Sequence, residues 1–287
     1  MASETKAANA DQIEAWNGSV GVKWAANQER LDRMLTPFSE AVLAAAAVRP
    51  GEHVLDIGCG CGATTLEIAR AVGEAGRVLG VDISAPMTAR GRDRAKALAL
   101  PATFELADAS TYAFEPDAFD VMISRFGVMF FDEPASAFAN IRKGLKKGAR
   151  LAFVCWRSFG ENPWVTVPLA AALAHVAPPE PTPPGAPGPF AFADRDRLAS
   201  ILETAGFRDI SISPFDTKLM MGTEGGGIEE ALMQSVEIGP LGRLIANAPE
   251  EVVSRIRESV RAALVEHQIP DGRVALGGAT WLVTAHA

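Results

Sequence analysis

At 287 residues, the chain suits one α/β domain with insertions better than a string of small modules. Hydrophobic residues make up 48% and charged residues 22%, which supplies a sizeable core and excludes global disorder. A net charge of −8 argues against a protein whose main task is to grip nucleic acid; the one locally basic stretch, 142–150, reads as a solvated helix end and turn.

The N-terminus, MASETKAANADQIEAW, is polar and lacks the apolar segment of a signal peptide, and no apolar run approaches the ~18 residues of a membrane span. Three cysteines, Cys59, Cys61 and Cys155, do not suggest a disulfide framework, and no second pair or histidine cluster completes a zinc site. A cytoplasmic protein without a metal is therefore expected. Residues 11–48 read as two helices, broken near Gly18 to Gly21 and at Pro37. Trp16 and Trp24 within them are unusual, because tryptophan is expensive to leave exposed.

Strand and helix then alternate. Strand-like runs cover 53–57, 77–81, 102–106, 119–124 and 150–156, with helical stretches at 64–72, 85–98, 134–145 and 163–176. This spacing predicts a parallel sheet, doubly wound, with helices on both faces. Residues 177–189 (APPEPTPPGAPGP) form a proline-rich break that reads as a stiff surface linker or as a lid hinge. Asp194 opens a capped helix that Gly206 stops, and 210–214 is again strand-like. Residues 228–267 are mostly helical, interrupted around Gly239 to Gly242, and 274–286 closes the chain as a strand with Gly277 and Gly278 inside it.

The richest stretch is VLDIGCGCGATT, residues 54–65. An apolar strand ends at Asp56, breaks into Gly58, Gly60 and Gly62, and opens a helix, a geometry that brings backbone N–H groups close to a nucleotide-containing ligand. The same glycines also satisfy a dinucleotide pattern if Ala63 is counted, so the pattern alone decides little. Asp56 decides more. A carboxylate before the first glycine repels a pyrophosphate and attracts an ammonium or sulfonium, which favours S-adenosylmethionine over NAD. Asp82 ends the next strand, where an acid accepts from ribose hydroxyls, and Asp108 follows the third, within reach of an adenine amine. Three acids at three successive strand ends define one crevice at their C-terminal edge.

The stretch from about Gly51 to Trp156 resembles the class I S-adenosylmethionine-dependent methyltransferases, most closely the branch of ubiquinone/menaquinone-biosynthesis and related small-molecule enzymes. The motifs that carry the resemblance are VLDIGCGCG, GVDIS, the ADA of ELADAS, FDVMISRFGVMFF and LKKGARLAFVCW. Lys147 departs from the family, which usually has proline in this turn. The resemblance implies a Rossmann-like, seven-stranded sheet with its last strand antiparallel. It also implies an N-terminal helical lid (1–48), a core (49–216), a helical cap inserted at 217–271 and a final strand (272–287). Carried over to this chain, Asp56 and the glycine turn face the methionine part of the cofactor, Asp82 holds the ribose, Asp108 and the Ala109 backbone meet the adenine, and Ser124 belongs to the cofactor site beside the reactive methyl. Ile83 and Met87 pack on its ring or serve as plain core. Trp16 and Trp24 wall off the sulfonium or merely anchor the helix.

On the acceptor side, no Asn/Asp-Pro-Pro-Tyr/Phe motif and no Pro-Cys stand where DNA methyltransferases need them. The expected pocket is apolar and includes Arg125, Phe126, Met129, Trp156, Asn162 and Trp164. His175 is the first candidate for a general base, with Arg125 a second candidate for chemistry, and Arg125 and Arg157 could each meet an acidic acceptor or form an ordinary ion pair. The expected reaction is in-line methyl transfer to a small, partly apolar acceptor, releasing S-adenosylhomocysteine. A nicotinamide-dependent oxidoreductase and a non-catalytic cofactor-binding protein stand as alternatives. A homodimer through the 228–267 helices is one possible assembly.

Overall fold

The computed structural model describes residues 9–246 and 248–287, without the side chains of residues 238 and 243. Residues 1–8 of the expected lid and residue 247 of the expected cap lie outside it. Three helices open the described chain: α1 (Ala10–Asn17), α2 (Ser19–Ala26) and α3 (Gln28–Ala46). There follow β1 (His53–Ile57), α4 (Ala63–Val72), β2 (Arg77–Asp82), α5 (Ala85–Ala97), β3 (Ala102–Leu106), β4 (Phe119–Arg125), α6 (Pro134–Lys143), β5 (Leu145–Trp156), α7 (Pro163–Ala172) and α8 (Arg195–Thr204). The last elements are β6 (Arg208–Met221), α9 (Gly227–Ile238), α10 (Pro240–Ile245), α11 (Glu250–Val265) and β7 (Val274–His286).

The strands form one sheet in the order β3-β2-β1-β4-β5-β7-β6. The first five run parallel, and β7 runs antiparallel to both neighbours, β5 and β6. The order reverses between β1 and β4, so their C-terminal ends diverge and leave a crevice. Val54, Leu55, Ile57, Val121, Met122, Ile123 and the run Leu151–Cys155 are all buried, as expected of strands covered by helices on both faces. The doubly wound architecture read from the alternation is the one observed.

Two local expectations fail. Pro37 does not break the N-terminal segment; it sits inside α3, and the break falls instead at Asn27. An interior proline costs roughly 3 kcal/mol. The apolar stripe of Leu31, Met34, Leu35, Phe38, Val42 and Ala46 is buried along α3, and burying side chains of this kind recovers more than that. The strand expected at 210–214 runs on to Met221, because Phe215 to Met221 pair with Val274 to Thr280. Since Thr280 pairs with Trp156, the last residue of β5, this β6–β7 ribbon projects beyond the crevice edge of the sheet. The cap helices α9, α10 and α11 hang between its two strands. Among the described residues, no helix is long and apolar enough to cross a membrane.

Candidate functional site

The crevice floor is where two turns touch. Gly58, Gly60 and Gly62 all adopt left-handed φ (67°, 53° and 81°), which only glycine adopts cheaply. Gly58 lies against Gly127 in the turn after β4. A Cβ added to Gly58 would stand 2.4 Å from Gly127 Cα, and one added to Gly127 would stand 2.5 Å from the Ile57 carbonyl oxygen. The Gly58 N–H donates to the Val81 carbonyl (2.8 Å), hooking the turn to the end of β2. Ser124 is fully buried, and its Oγ accepts from the Gly127 N–H (3.1 Å), so it braces the second turn.

Asp56 is wholly buried. Its Oδ2 accepts from the hydroxyls of Thr64 and Thr65, both at 2.7 Å, while Oδ1 has no hydrogen-bond partner among the described residues. Burial pushes its carboxyl up to about 6, against the opposing effects of Thr65, Thr64 and the Arg125 guanidinium. An orphaned carboxylate oxygen in such surroundings is short of a cationic or donor group. Asp82 accepts from the Gly60 N–H through Oδ2 and the Ser84 N–H through Oδ1, both at 2.8 Å. Loss of water raises its carboxyl above the ordinary range, while these backbone donors pull it down. Asp108 lies just past β3, and Ala109 beside it is buried. Met87 packs against the glycine turn, its Cε 2.8 Å from where a Gly60 Cβ would stand. The Ile83 carbonyl accepts from Asn17 Nδ2 (2.8 Å).

The N-terminal helices lie over this crevice. Trp16 meets Trp24 edge-on at 5.7 Å and Phe130 at 5.3 Å. Past β4, Phe126 carries a left-handed φ of 64°, unusual for an aromatic residue and a mark of local strain. Its ring stacks on Trp156 at 4.3 Å, and Trp156 packs against Trp164 at 4.9 Å. Trp164 in turn lines a small apolar cavity with Met34, Val165, Pro168, Met221 and Leu241, so a run of rings leads from the strand end to the cap.

Other expected pocket residues hold the fold together. The Asn162 Oδ1 accepts from the Ala279 N–H (2.9 Å) and Trp164 Nε1 (3.2 Å), and its Nδ2 donates to the Ser158 carbonyl (2.9 Å). Met129 is buried, and its sulfur accepts from the Trp156 N–H. Arg157 pairs with Asp216 and Glu161, over the Trp281 ring. His175 Nε2 lies 2.7 Å from Ser259 Oγ on α11. His53 and His286 stand at the opposite edge of the sheet, at the start of β1 and the end of β7. Arg125 donates Nη1 to Ser39 Oγ (2.9 Å) and lies 4.0 Å from Asp32, which also binds Arg94 at 2.8 Å. Burial lowers the Arg125 guanidinium from its ordinary range, opposed by the carboxylates of Asp32 and Asp56. Burial pushes the Cys61 thiol up to about 12 and Cys59 well above its usual value, so neither is a ready thiolate. No cluster of three or more metal-ligating side chains occurs among the described residues.

Sequence reasoning missed Gly127 as a partner of the glycine turn, Asp32 and Ser39 beneath Arg125, and Asn9 and Asn17. The two asparagines bracket α1 eight residues apart, a pattern that reads as helix capping and not as site chemistry.

The seven-stranded sheet, its reversal point and the glycine turn define a class I, Rossmann-like methyltransferase fold. Residues 54–148 match the methyltransferase domain family model. Over 109 residues, 38% of this chain, the sequence is 38% identical to the ubiquinone/menaquinone biosynthesis C-methyltransferase of Burkholderia mallei, of which it covers 45%. The chain spans less than half the length of the first curated relatives it matches. Among solved structures, phosphoethanolamine N-methyltransferase 2 of Haemonchus contortus, in complex with S-adenosyl-L-methionine, superposes with a TM-score of 0.57 and 17% identity. That match covers 98% of this chain and 60% of the other. The YcgJ protein of Bacillus subtilis superposes with a TM-score of 0.55 at 14% identity, covering 88% and 98%. At these identities the two structures speak for the fold alone.

Proposed function

We propose that the chain is an enzyme that binds S-adenosylmethionine at the ends of β1, β2 and β3 and methylates a small, partly apolar acceptor held toward the cap. The observation that carries this reading is the orphaned, fully buried Oδ1 of Asp56, two residues before Gly58. A carboxylate there suits a ligand with an ammonium and a sulfonium and disfavours a pyrophosphate. Asp82 would hold the ribose, Asp108 and Ala109 the adenine, and Trp16 and Trp24 would cover the crevice. Similarity over residues 54–148 to a methyltransferase domain supports the same cofactor.

When bound, the cofactor supplies an electrophilic methyl carbon, and the protein need only align a nucleophile with it and exclude water. The ring run Phe126–Trp156–Trp164 favours an apolar body on the acceptor. His175 is engaged by Ser259, His53 and His286 stand at the opposite edge of the sheet and His267 follows α11 in the cap, so the reading relies on alignment and assigns no histidine base.

Calorimetric titration with S-adenosylmethionine, S-adenosylhomocysteine and NAD tests the reading. Micromolar binding of the first two and none of the third is expected. Binding of NAD alone would overturn it.

A further inference from the structure

The N-terminal helices are tied to both lips of the crevice. On the β2 side, Asn17 Oδ1 accepts from the Ala85 N–H (2.9 Å), and Ser84 Oγ donates to the Trp16 carbonyl (2.8 Å). On the β4 side, the Asp132 N–H donates to Asn9 Oδ1 (2.8 Å) and the Asn9 N–H returns a bond to Asp132 Oδ2 (2.5 Å). Between these anchors, Asn9 Nδ2 lies on the carboxylate of Asp108, 2.9 Å from Oδ1 and 2.8 Å from Oδ2, and 3.1 Å from Ser110 Oγ. Asn9 is only 3% exposed and takes a left-handed φ of 57°, which asparagine tolerates better than most residues.

We propose that Asn9 is a positioning residue that sets the protein's selectivity for a 6-amino purine, an inference that rests on the cofactor reading above. The Asp108 carboxylate is held on two sides. Its Oδ1 takes the Ser110 N–H (2.8 Å) as well as Asn9, and Oδ2 takes Asn9. An amide group bonded to both oxygens stops the carboxylate from rotating and leaves acceptor capacity on Oδ2. A fixed acceptor of this kind rewards a purine amino group and opposes a 6-oxo group, whose lone pairs would face it. Without Asn9, the carboxylate is free to turn and to take water, and the penalty on the oxo group relaxes. Asp132 holds this strap at Asn9 from the far lip, through its backbone N–H as well as its carboxylate, and only the carboxylate bond is lost on replacement by Ala.

The test compares binding of S-adenosylhomocysteine with binding of S-inosylhomocysteine, its 6-oxo analogue, by calorimetry on the full chain. Wild-type protein is expected to prefer the adenosyl ligand strongly. Asn9→Ala should lower that preference ratio by about tenfold or more, chiefly by weakening the adenosyl ligand. Asn9→Asp removes both donors and adds a carboxylate beside Asp108, and should reduce the ratio at least as far. Asp132→Ala loosens the strap without touching Asp108, and should weaken both ligands alike at an unchanged ratio. A wild-type ratio in Asn9→Ala, folded by circular dichroism, would make Asn9 a mere tether and overturn the inference. So would tighter adenosyl binding in that variant, which would make the carboxamide a competitor for the adenine place. If wild-type protein binds neither ligand, the cofactor reading itself fails and takes the inference with it.

Discussion

The β1–β2–β3 side of the crevice is held by backbone and carboxylates, whereas the β4–β5 side and the cap are held by rings. On the first side, Asp82 is fixed by the N–H groups of Gly60 and Ser84, and Gly58 is pinned between Gly127 and the Val81 carbonyl. Little there can change without moving main chain. On the second, Phe126, Trp156 and Trp164 meet one another side chain to side chain, and contacts of that kind repack. The half proposed to face the cofactor is thus written in backbone geometry, and the half proposed to face the acceptor in exchangeable side chains.

Gly127→Ala should have the largest effect. Its φ of −81° suits any residue, so the effect is purely steric: a methyl group 2.5 Å from a carbonyl oxygen and 2.6 Å from Gly58 Cα. A loss of about 3 kcal/mol or more is expected, seen as roughly a 10 °C drop in melting temperature together with lost S-adenosylhomocysteine binding. A variant that melts within a few degrees of wild type would show that the floor yields.

Asp56→Asn sharpens the carboxylate side. Burial lifts the Asp56 carboxyl from its ordinary 3.8 to about 6. Between those values the folded chain holds a proton that the unfolded chain has released, so this group's contribution makes stability fall as pH rises through the window. The size is roughly 3 kcal/mol at about 1.4 kcal/mol per unit, fully felt above pH 6. Asn at this position should therefore raise the melting temperature at pH 7.5 and much less at pH 4, while weakening cofactor binding about tenfold or more. Equal pH slopes for the two proteins in thermal melts would remove Asp56 as the cause.

In wild-type protein the same group predicts that S-adenosylhomocysteine affinity, measured by calorimetry, declines below about pH 6, by up to about tenfold per unit. Asp82, whose carboxyl is also raised, acts in the same direction. A flat profile from pH 7 to 5 would count against an ionised Asp56 as the ammonium partner.

Smaller effects belong to the ring side. Trp164→Ala should leave cofactor affinity within about twofold and weaken only an apolar acceptor, since Trp164 ends the ring run and does not touch the glycine turn. Tenfold weaker cofactor binding would merge the two halves into one. His175→Ala should cost about 1 kcal/mol of stability through its bond to Ser259 and leave methyl transfer unchanged, checked by melting and by rate.

Much of the carboxylate side was legible in the chain because strand ends and glycine turns carry local signals. Asp56 and Asp82 each close an apolar run, Asp108 follows the third strand, and the alternation around them predicts the sheet. The contacts that complete the site are non-local. Asn9 meets Asp108 across 99 residues, and Gly58 faces Gly127 across 69 positions of numbering that share no pattern. Proline at 37 misled for the converse reason: a strong local signal was overruled by the buried face of α3. The outer half of β6 was missed because Asp216 and Lys218 alternate with inward Leu219 and Met221 too briefly to stand out.

The β6–β7 ribbon changes how the molecule should bend. Where the sheet is seven strands wide it is stiff, but past Trp156 only two strands continue, and they carry the cap helices. The bend therefore falls at Phe215 and Thr280, where the Phe38 ring of α3 meets Phe215 at 6.0 Å. Through Phe38 on Phe215, Gln234 on Met34 and Ser259 beside His175, the cap leans on α3 and on the end of α7, so cap movement is expected to be felt by the N-terminal helices while Gly58 and Gly127 stay locked.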